Sequence, residues 1–313
     1  MINYALIANK FAGTRSTKNF WKKMDERAAK AGIKFEYFFT ERVGHARELA
    51  ADILKKGHTR LAVMGGDGTF SEVIDGLMKS GEDLSKLAVG LIPFGTGNDW
   101  GRYWHLDRNI DKSINVLATG EPVKVDVGRI EYNTGEKAVT RYFINAYGLG
   151  FDAKVLELTN SLQHTFKGAS WTYTLALFLT LFKQRSQVME YEFDGKETFK
   201  GLSYTASMGN GCYTGGGIKQ TPEAKPNDGL LDIMVVESLN LVKILKAIPL
   251  LFTGRLLEHK SVHLYKAKKI KVKSEKPIIS EVDGILQEFT NEINVELLPK
   301  QINFITPNYS LSS

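Results

Sequence analysis

The spacing of apolar and polar residues changes character about two fifths of the way along the chain. Before that point, short apolar runs at 4–8, 34–39, 61–64 and 87–92 read as strands buried on both faces. Between them, residues 21–31 and 40–56 have helical spacing, the second through Val43, Ala46, Leu49, Ala50, Ile53 and Leu54. Gly32 and Gly57 close these two helices, and 111–119 predicts another. Strand alternating with helix predicts a parallel sheet covered on both faces, with its ligand edge beyond the carboxyl ends of the strands. After 122 the period shortens. Runs at 123–130, 137–146, 188–193, 201–208, 230–237 and through 262–295 read as antiparallel strands, with hairpin signals at Asn133-Thr134-Gly135 and Asp194-Gly195. Helical stretches interrupt near 153–185 and 239–258. The pattern predicts an α/β domain at 1–122 and a β-rich domain at 123–296. The last strand-like piece, within 297–313, is a candidate to return to the first domain.

Two polar turns fall at the predicted ligand edge. The first, Gly65-Gly66-Asp67-Gly68-Thr69, reads as a tight turn with a helix starting at Phe70. Glycines at 65, 66 and 68 allow positive φ and close approach of a ligand, and amides at a helix start favour an anion such as phosphate. The spacing fits neither common nucleotide fingerprint, and from the glycines alone an ordinary αβ turn reads equally well. Asp67 is the anomaly, a carboxylate among groups suited to an anion. A bridging Mg²⁺ on a nucleotide phosphate reconciles the two. The second turn, 93–102, brings together Thr96, Asn98, Asp99 and Arg102, and Asp126 adds a third acid.

Composition narrows the partners. The 313 residues are 43% hydrophobic, enough for a substantial core, and the formal charge of +6 suits an anionic partner. The single cysteine, Cys212, excludes an internal disulfide framework and fits a reducing compartment. No signal-peptide pattern opens the sequence, so the expected location is the cytoplasm. The most apolar helical piece, 174–182, is too short to cross a bilayer, so membrane contact is expected to be peripheral. The six histidines show no ligand spacing for zinc, and Ser71 and Ser207 lack a hydrolase context. Residues 254–276 hold eight Lys or Arg against two acids, and Lys269, Lys271 and Lys273 alternate with Ile270 and Val272. That row fits a solvated strand face or, as the sharper reading, a membrane-facing basic edge. Its basic residues are not interleaved with aromatics as in single-strand binders, so no nucleic acid partner is expected.

Taken in order, GGDGT (65–69), PFGTGND (93–99) followed by Arg102, and MGNGCYTGGGIKQTPEAKPNDGLLD (208–232) resemble the diacylglycerol kinase family of lipid kinases, which includes the sphingosine kinases. The resemblance spans nearly the whole chain. It implies an α/β nucleotide domain similar to those of phosphofructokinases and NAD kinases, followed by an antiparallel β-sandwich-like domain for the lipid substrate. It also implies that ATP binds at Asn9, Gly13, Thr40, Gly65, Gly66, Asp67, Gly68, Thr69 and Thr96. Asp67, Asp99, Asp126, Asn98, Arg102 and Lys167 would surround the phosphates and Mg²⁺. A structural Mg²⁺ would be held by the Asp228 side chain and the carbonyls of Lys225 and Leu230. Asp228-Gly229 read without the family is a plain type I′ turn. Lys10 stands where the family has proline after Asn9.

One departure bears on catalysis. The family's Asp-Gly-Glu, whose acids activate the lipid hydroxyl, is here Asp283-Gly284-Ile285. A general base contributes about 10²- to 10⁴-fold, so losing one acid bears on rate rather than on nucleotide binding. Asp283 acting alone, Glu281 substituting from two residues back, and a protein that binds ATP and lipid without efficient transfer all stay open. The expected activity is transfer of the ATP γ-phosphoryl group to a hydroxyl of diacylglycerol or a related lipid alcohol at the inner membrane surface. Asp283, Asp67 and Asp99 would be its catalytic residues. A soluble-substrate kinase of the NAD kinase type is the other enzyme reading, and a homodimer is compatible with the sequence without being specified by it.

Overall fold

A computed structural model describes residues 1–9, 18–165, 175–176, 179–180, 185–238 and 259–308. The expected helix at 239–258, most of the apolar piece at 174–182, and Gly13 and Lys167 lie outside the described residues. The chain forms two compact units, Met1–Val127 with Pro299–Ser313, and Gly128–Leu298.

The first unit follows the strand and helix alternation. Its elements are β1 (Ile2–Ala8), α1 (Lys18–Lys30), β2 (Ile33–Phe39), α2 (His45–Lys55), β3 (Arg60–Gly65), α3 (Asp67–Lys79), β4 (Ala88–Pro93), α4 (Asp99–Tyr103) and α5 (Ile110–Thr119). The strands pair in parallel in the order β2, β1, β3, β4. Helices α1 and α5 pack together, as do α2 and α3. Residues 61–65 of β3 are all buried, as a continuous apolar run in a sheet covered on both faces requires. β1 has β2 on one side and β3 on the other, so the strand order reverses at the β1/β3 pair, where open α/β sheets place their ligands.

The second unit contains the main part of β5 (Glu121–Thr134), then β6 (Lys137–Phe143), β7 (Ala146–Gly150), α6 (Phe151–Thr165), β8 (Gln187–Phe193), β9 (Glu197–Gly209), β10 (Leu231–Glu237), β11 (Val262–Ala267), β12 (Lys269–Val282) and most of β13 (Ile285–Thr306). The pairings among β6 to β12, of β5 with β6 and of β12 with β13 are antiparallel. β9 and β12 each pair with β8 along one half and with β7 along the other. β12 shifts register around Ile278, which lets one long strand serve both layers. The core between them includes Phe143, Tyr147, Tyr191, Met208, Ile233, Val272 and Ile293. The fold expected from the sequence, an α/β domain with an antiparallel sandwich-like partner, is the one observed.

Two local expectations change, and one open alternative is decided. The first glycine turn does not extend to Thr69: helix α3 already starts at Asp67. The strand expected at 137–146 is broken after Phe143 and restarts at Ala146. The basic row on β12 is not an open basic edge. Lys271 and Lys273 lie opposite Glu192 and Glu190 of β8, while Lys273 and Lys269 lie opposite Glu292 and Glu296 of β13. Ion pairs close the row, with Lys271 Nζ 2.8 Å from Glu292 and Lys269 Nζ 3.3 Å from Glu296. This is a solvated face of alternating charge.

Candidate active site

In the first unit the expected nucleotide residues collect beyond the carboxyl ends of the parallel strands. Asn9 follows β1, and its amide donates to the Met64 carbonyl of β3 at 3.1 Å. Thr40 follows β2, is buried, and its amide donates to the Ala8 carbonyl at 3.1 Å. Gly65 ends β3, and Thr96 lies exposed in the turn after β4, its carbonyl accepting from Arg108.

The two glycine turns form one body. The Phe94 amide donates to the Gly65 carbonyl at 2.8 Å, and the backbones of Gly66 and Gly95 touch. A Cβ on Gly95 would stand 2.3 Å from the Gly66 Cα, so only glycine fits there. Gly66 has φ of −92°, and none of Gly65, Gly66 and Gly68 has positive φ. Their backbone freedom is therefore not what the turn uses: Gly65 and Gly66 are needed for close packing. Gly68 differs. A Cβ there would meet nothing within 4 Å, so its side faces open space in the first turn of α3, where helix amides lack intrahelical partners.

Asp67 connects the turns. Its Oδ1 accepts from the Trp100 amide at 3.3 Å, and the amides of Asn98 and Asp99 also serve it. The acid of the first motif thus caps the short helix opened by the second. Burial pushes the Asp67 carboxyl above its ordinary range, with those amides pulling the other way. Asn98 takes a left-handed backbone, φ 54°, and locks the turn by exchanging side-chain hydrogen bonds with both the amide and carbonyl of Gly95 at 2.9 Å. Asp99 is buried, and its Oδ1 lies 3.8 Å from Arg102 Nε. Asp126 is fully buried and accepts from the Lys300 amide at 2.7 Å. This bond anchors the returning C-terminal segment to β5.

In the second unit, Asp283 and Gly284 form the two-residue turn between β12 and β13, with φ of 46° and 81°. The Asp283 carboxylate is buried and accepts three amides: Ile144 on Oδ2 at 3.0 Å, and Asn145 and Ala146 on Oδ1 at 3.0 and 2.9 Å. Capture of these amides breaks the strand at 144–145. Val282 pairs with Ile285 and Glu281 with Leu286, so position 285 and Glu281 lie on opposite faces of the hairpin. Glu281 is also engaged, since its Oε2 accepts from the Gly284 amide at 2.6 Å and its carboxylate lies across Gly148. The regular strand ends at Val282, which removes the geometry by which Glu281 could replace a glutamate at 285.

The segment expected to hold a structural cation is a hydrogen-bonded loop. Lys225 O accepts from the Asn227 and Asp228 amides, and Asp228 Oδ1 accepts from the Leu230 amide at 3.1 Å. Gly229 has φ of 82° while Asp228 does not share a positive φ, so this is not a type I′ turn. Among the described residues no three His, Cys, Asp or Glu side chains group as metal ligands. A cation here would rely on one carboxylate and backbone carbonyls, a hard oxygen set that suits Mg²⁺. Sequence reasoning missed Asn145 and Asn210, which hold the segment around Asp283. Asn210 stood in a quoted motif but carried no local signal of its partner.

Comparison with known proteins gives the same picture. The diacylglycerol kinase catalytic domain family matches residues 3–130, and the YegS C-terminal NAD kinase beta sandwich-like domain family matches residues 145–306. A diacylglycerol kinase of Staphylococcus saprophyticus is 31% identical over 305 residues, 97% of this chain and 95% of that protein. A solved Bacillus anthracis (strain Sterne) structure assigned to the diacylglycerol kinases superposes with a TM-score of 0.79 at 25% identity, covering 98% of this chain and 97% of that one. Yeast NADH kinase shares the fold alone, with a TM-score of 0.50 and 11% identity over 97% of this chain and 82% of that one. Among the described residues no helix is long and apolar enough to cross a membrane. Two motif turns fused beyond the carboxyl ends of adjacent parallel strands, a sandwich-like second unit and relatives matching nearly end to end lead to one conclusion: the chain belongs to the diacylglycerol kinase family and is a lipid kinase.

Proposed function

We propose that this kinase transfers the γ-phosphoryl group of ATP to a hydroxyl of diacylglycerol or a related lipid alcohol presented by a membrane surface. The observation that carries the reading is the pair of fused turns, with Gly68 open at the start of α3 beside Asp67 and Asp99. Amides at that helix start suit the nucleotide phosphates. Asp67 and Asp99 would organise Mg²⁺ there, and Mg²⁺ when bound would neutralise charge on the transferring group. Asp283 is the acceptor for the hydroxyl proton. As the lipid oxygen bonds to the γ-phosphorus, the bond to the ADP oxygen breaks and the proton passes to the Asp283 carboxylate. Three amides hold that carboxylate in one orientation, which favours a single acid acting without a partner at 285.

The test is incubation of the protein with γ-labelled ATP, Mg²⁺ and a total membrane-lipid extract, followed by separation of labelled lipids. A labelled lipid alcohol phosphate, lost in Asp283→Asn and in Asp67→Ala, is the expected result. Bound ATP without any labelled lipid would instead favour the second reading, a nucleotide- and lipid-binding protein with little transfer, which the isoleucine at 285 supports.

A further inference from the structure

The third sequence motif has no role in the reaction described so far, yet its first residues hold the segment that holds Asp283. Asn210 is fully buried, and its Nδ2 donates to the Ile144 carbonyl at 2.6 Å. The amides of Asn210 and Gly211 both donate to the Asn145 carbonyl at 2.8 Å. In return, Asn145 Nδ2 donates to the Tyr213 carbonyl at 2.9 Å. The carbonyls of 144 and 145 are therefore gripped from one side by the 210–213 loop, while the amides of 144–146 point the other way onto Asp283. The Asp283 amide completes the arrangement by donating to Ala146 O at 3.0 Å. Asn145 is not placed for its own hydrogen-bonding economy. Its Oδ1 is buried with no hydrogen-bond partner among the described residues, so the residue supplies the tether to Tyr213 and its backbone contacts.

We infer that Asn145 and Asn210 are positioning residues for phosphoryl transfer, acting only through Asp283 by fixing the three amides that orient its carboxylate. The inference rests on the reading of Asp283 as the proton acceptor. With isoleucine at 285, no second acid shares that task, and a misorientation of Asp283 goes uncorrected. Displacement of a reacting group by about 1 Å costs on the order of 100-fold in rate. Loosening the 144–146 segment should therefore lower kcat by about 10- to 100-fold while leaving the KM for ATP within about twofold.

A double-mutant cycle tests this. Asn210→Ala and Asn145→Ser are each made in the native chain and in Asp283→Asn, and transfer to the lipid substrate is followed under enzyme excess so that residual rates are measurable. Thermal midpoints and KM for ATP are measured alongside. The expected result is a large kcat loss for each asparagine variant in the native chain and almost none in Asp283→Asn. An equal fold-loss in both backgrounds, or no loss in the native chain, overturns the inference and leaves the Asp283 assignment standing. Full activity of Asp283→Asn itself overturns the assignment, and the inference with it. Should Asn210→Ala fail to fold, Asn145→Ser carries the test, because it keeps the backbone amide to Asp283 and removes the Tyr213 tether.

Discussion

At the scale of single residues, the glycines of the first two motifs separate into two jobs that their spacing does not distinguish. Gly95 lies against the Gly66 backbone, where a methyl group would collide, while a methyl on Gly68 would meet no protein atom. Gly95→Ala is therefore expected to lower the thermal midpoint of the protein. Gly68→Ala should leave that midpoint nearly unchanged yet weaken nucleotide binding at least tenfold in a titration with a fluorescent ATP analogue. Unchanged nucleotide affinity in Gly68→Ala would remove the open start of α3 from the phosphate site. A second residue-scale effect concerns Asp152, in the first turn of α6, whose carboxyl is pushed up to about 6 by burial. Its hydrogen-bonding neighbours, Thr205 and Gln220, are uncharged, and Tyr204 adds no positive charge. The native state keeps a proton that the unfolded chain has released, so this stabilisation is complete below about pH 4 and is lost as pH rises through about 6. Asp152→Asn should stabilise the protein at pH 8 by about 3 kcal/mol, a rise of several degrees in thermal midpoint that shrinks towards pH 4. A midpoint difference independent of pH would contradict the burial of this charge.

At the scale of elements, what could be read in advance was whatever the local pattern determines. β3 was legible because five consecutive positions are apolar or glycine and buried. The break between β6 and β7 was not, because it is caused by a carboxylate 137 to 139 residues away that takes the amides of 144–146. Residues 137–146 look continuous until Asp283 is placed beside them. The lysine row of β12 left two readings for a related reason, and the solvated face is the one observed. Its alternation was correct, but the acids that neutralise it belong to β8 and β13, which no reading of 269–273 can supply. The motif turns were located by sequence, whereas their fusion through Asp67 and Trp100 needed the fold. The β12–β13 hairpin also decides where an acid can be restored. Position 285 shares a face with Val282, opposite to Glu281, so a substitution at 285 returns a carboxylate to a face that Glu281 does not reach. Ile285→Glu should raise kcat for lipid phosphorylation by about tenfold or more, while Glu281→Gln should give no comparable loss. A fall in kcat for Ile285→Glu would show that the hairpin is adapted to one acid.

At the scale of the whole molecule, the first unit is assembled from both ends of the chain, and its last part lies behind 171 residues of the second unit. Asn303 and Phe304 of β13 pair in parallel with Ala88 and Val89, giving β4 a neighbour on its outer side. Phe304 is fully buried, with ring centroids 5.7 Å from Phe70, 5.5 Å from Trp100 and 5.6 Å from Trp104. Those aromatics belong to α3, α4 and the turn after α4, the same elements that carry the two glycine motifs. The returning segment is fixed at its start by Asp126 on the Lys300 amide and at its end by Thr306 on the Glu121 carbonyl. Packing and site are therefore coupled within this unit: removing the ring at 304 leaves a cavity under the helices that present Asp67 and Asp99. Phe304→Ala should cost about 3 to 5 kcal/mol. Hydrogen exchange should show the loss in β4, α3 and α4, with the amides of β9 and β12 in the second unit keeping their protection. ATP affinity should fall in the same variant although residue 304 is not placed to touch the nucleotide. Uniform loss of protection across both units would mean that the two unfold as one cooperative body, and unchanged protection of α3 and α4 would detach the C-terminal segment from the support of the nucleotide turns.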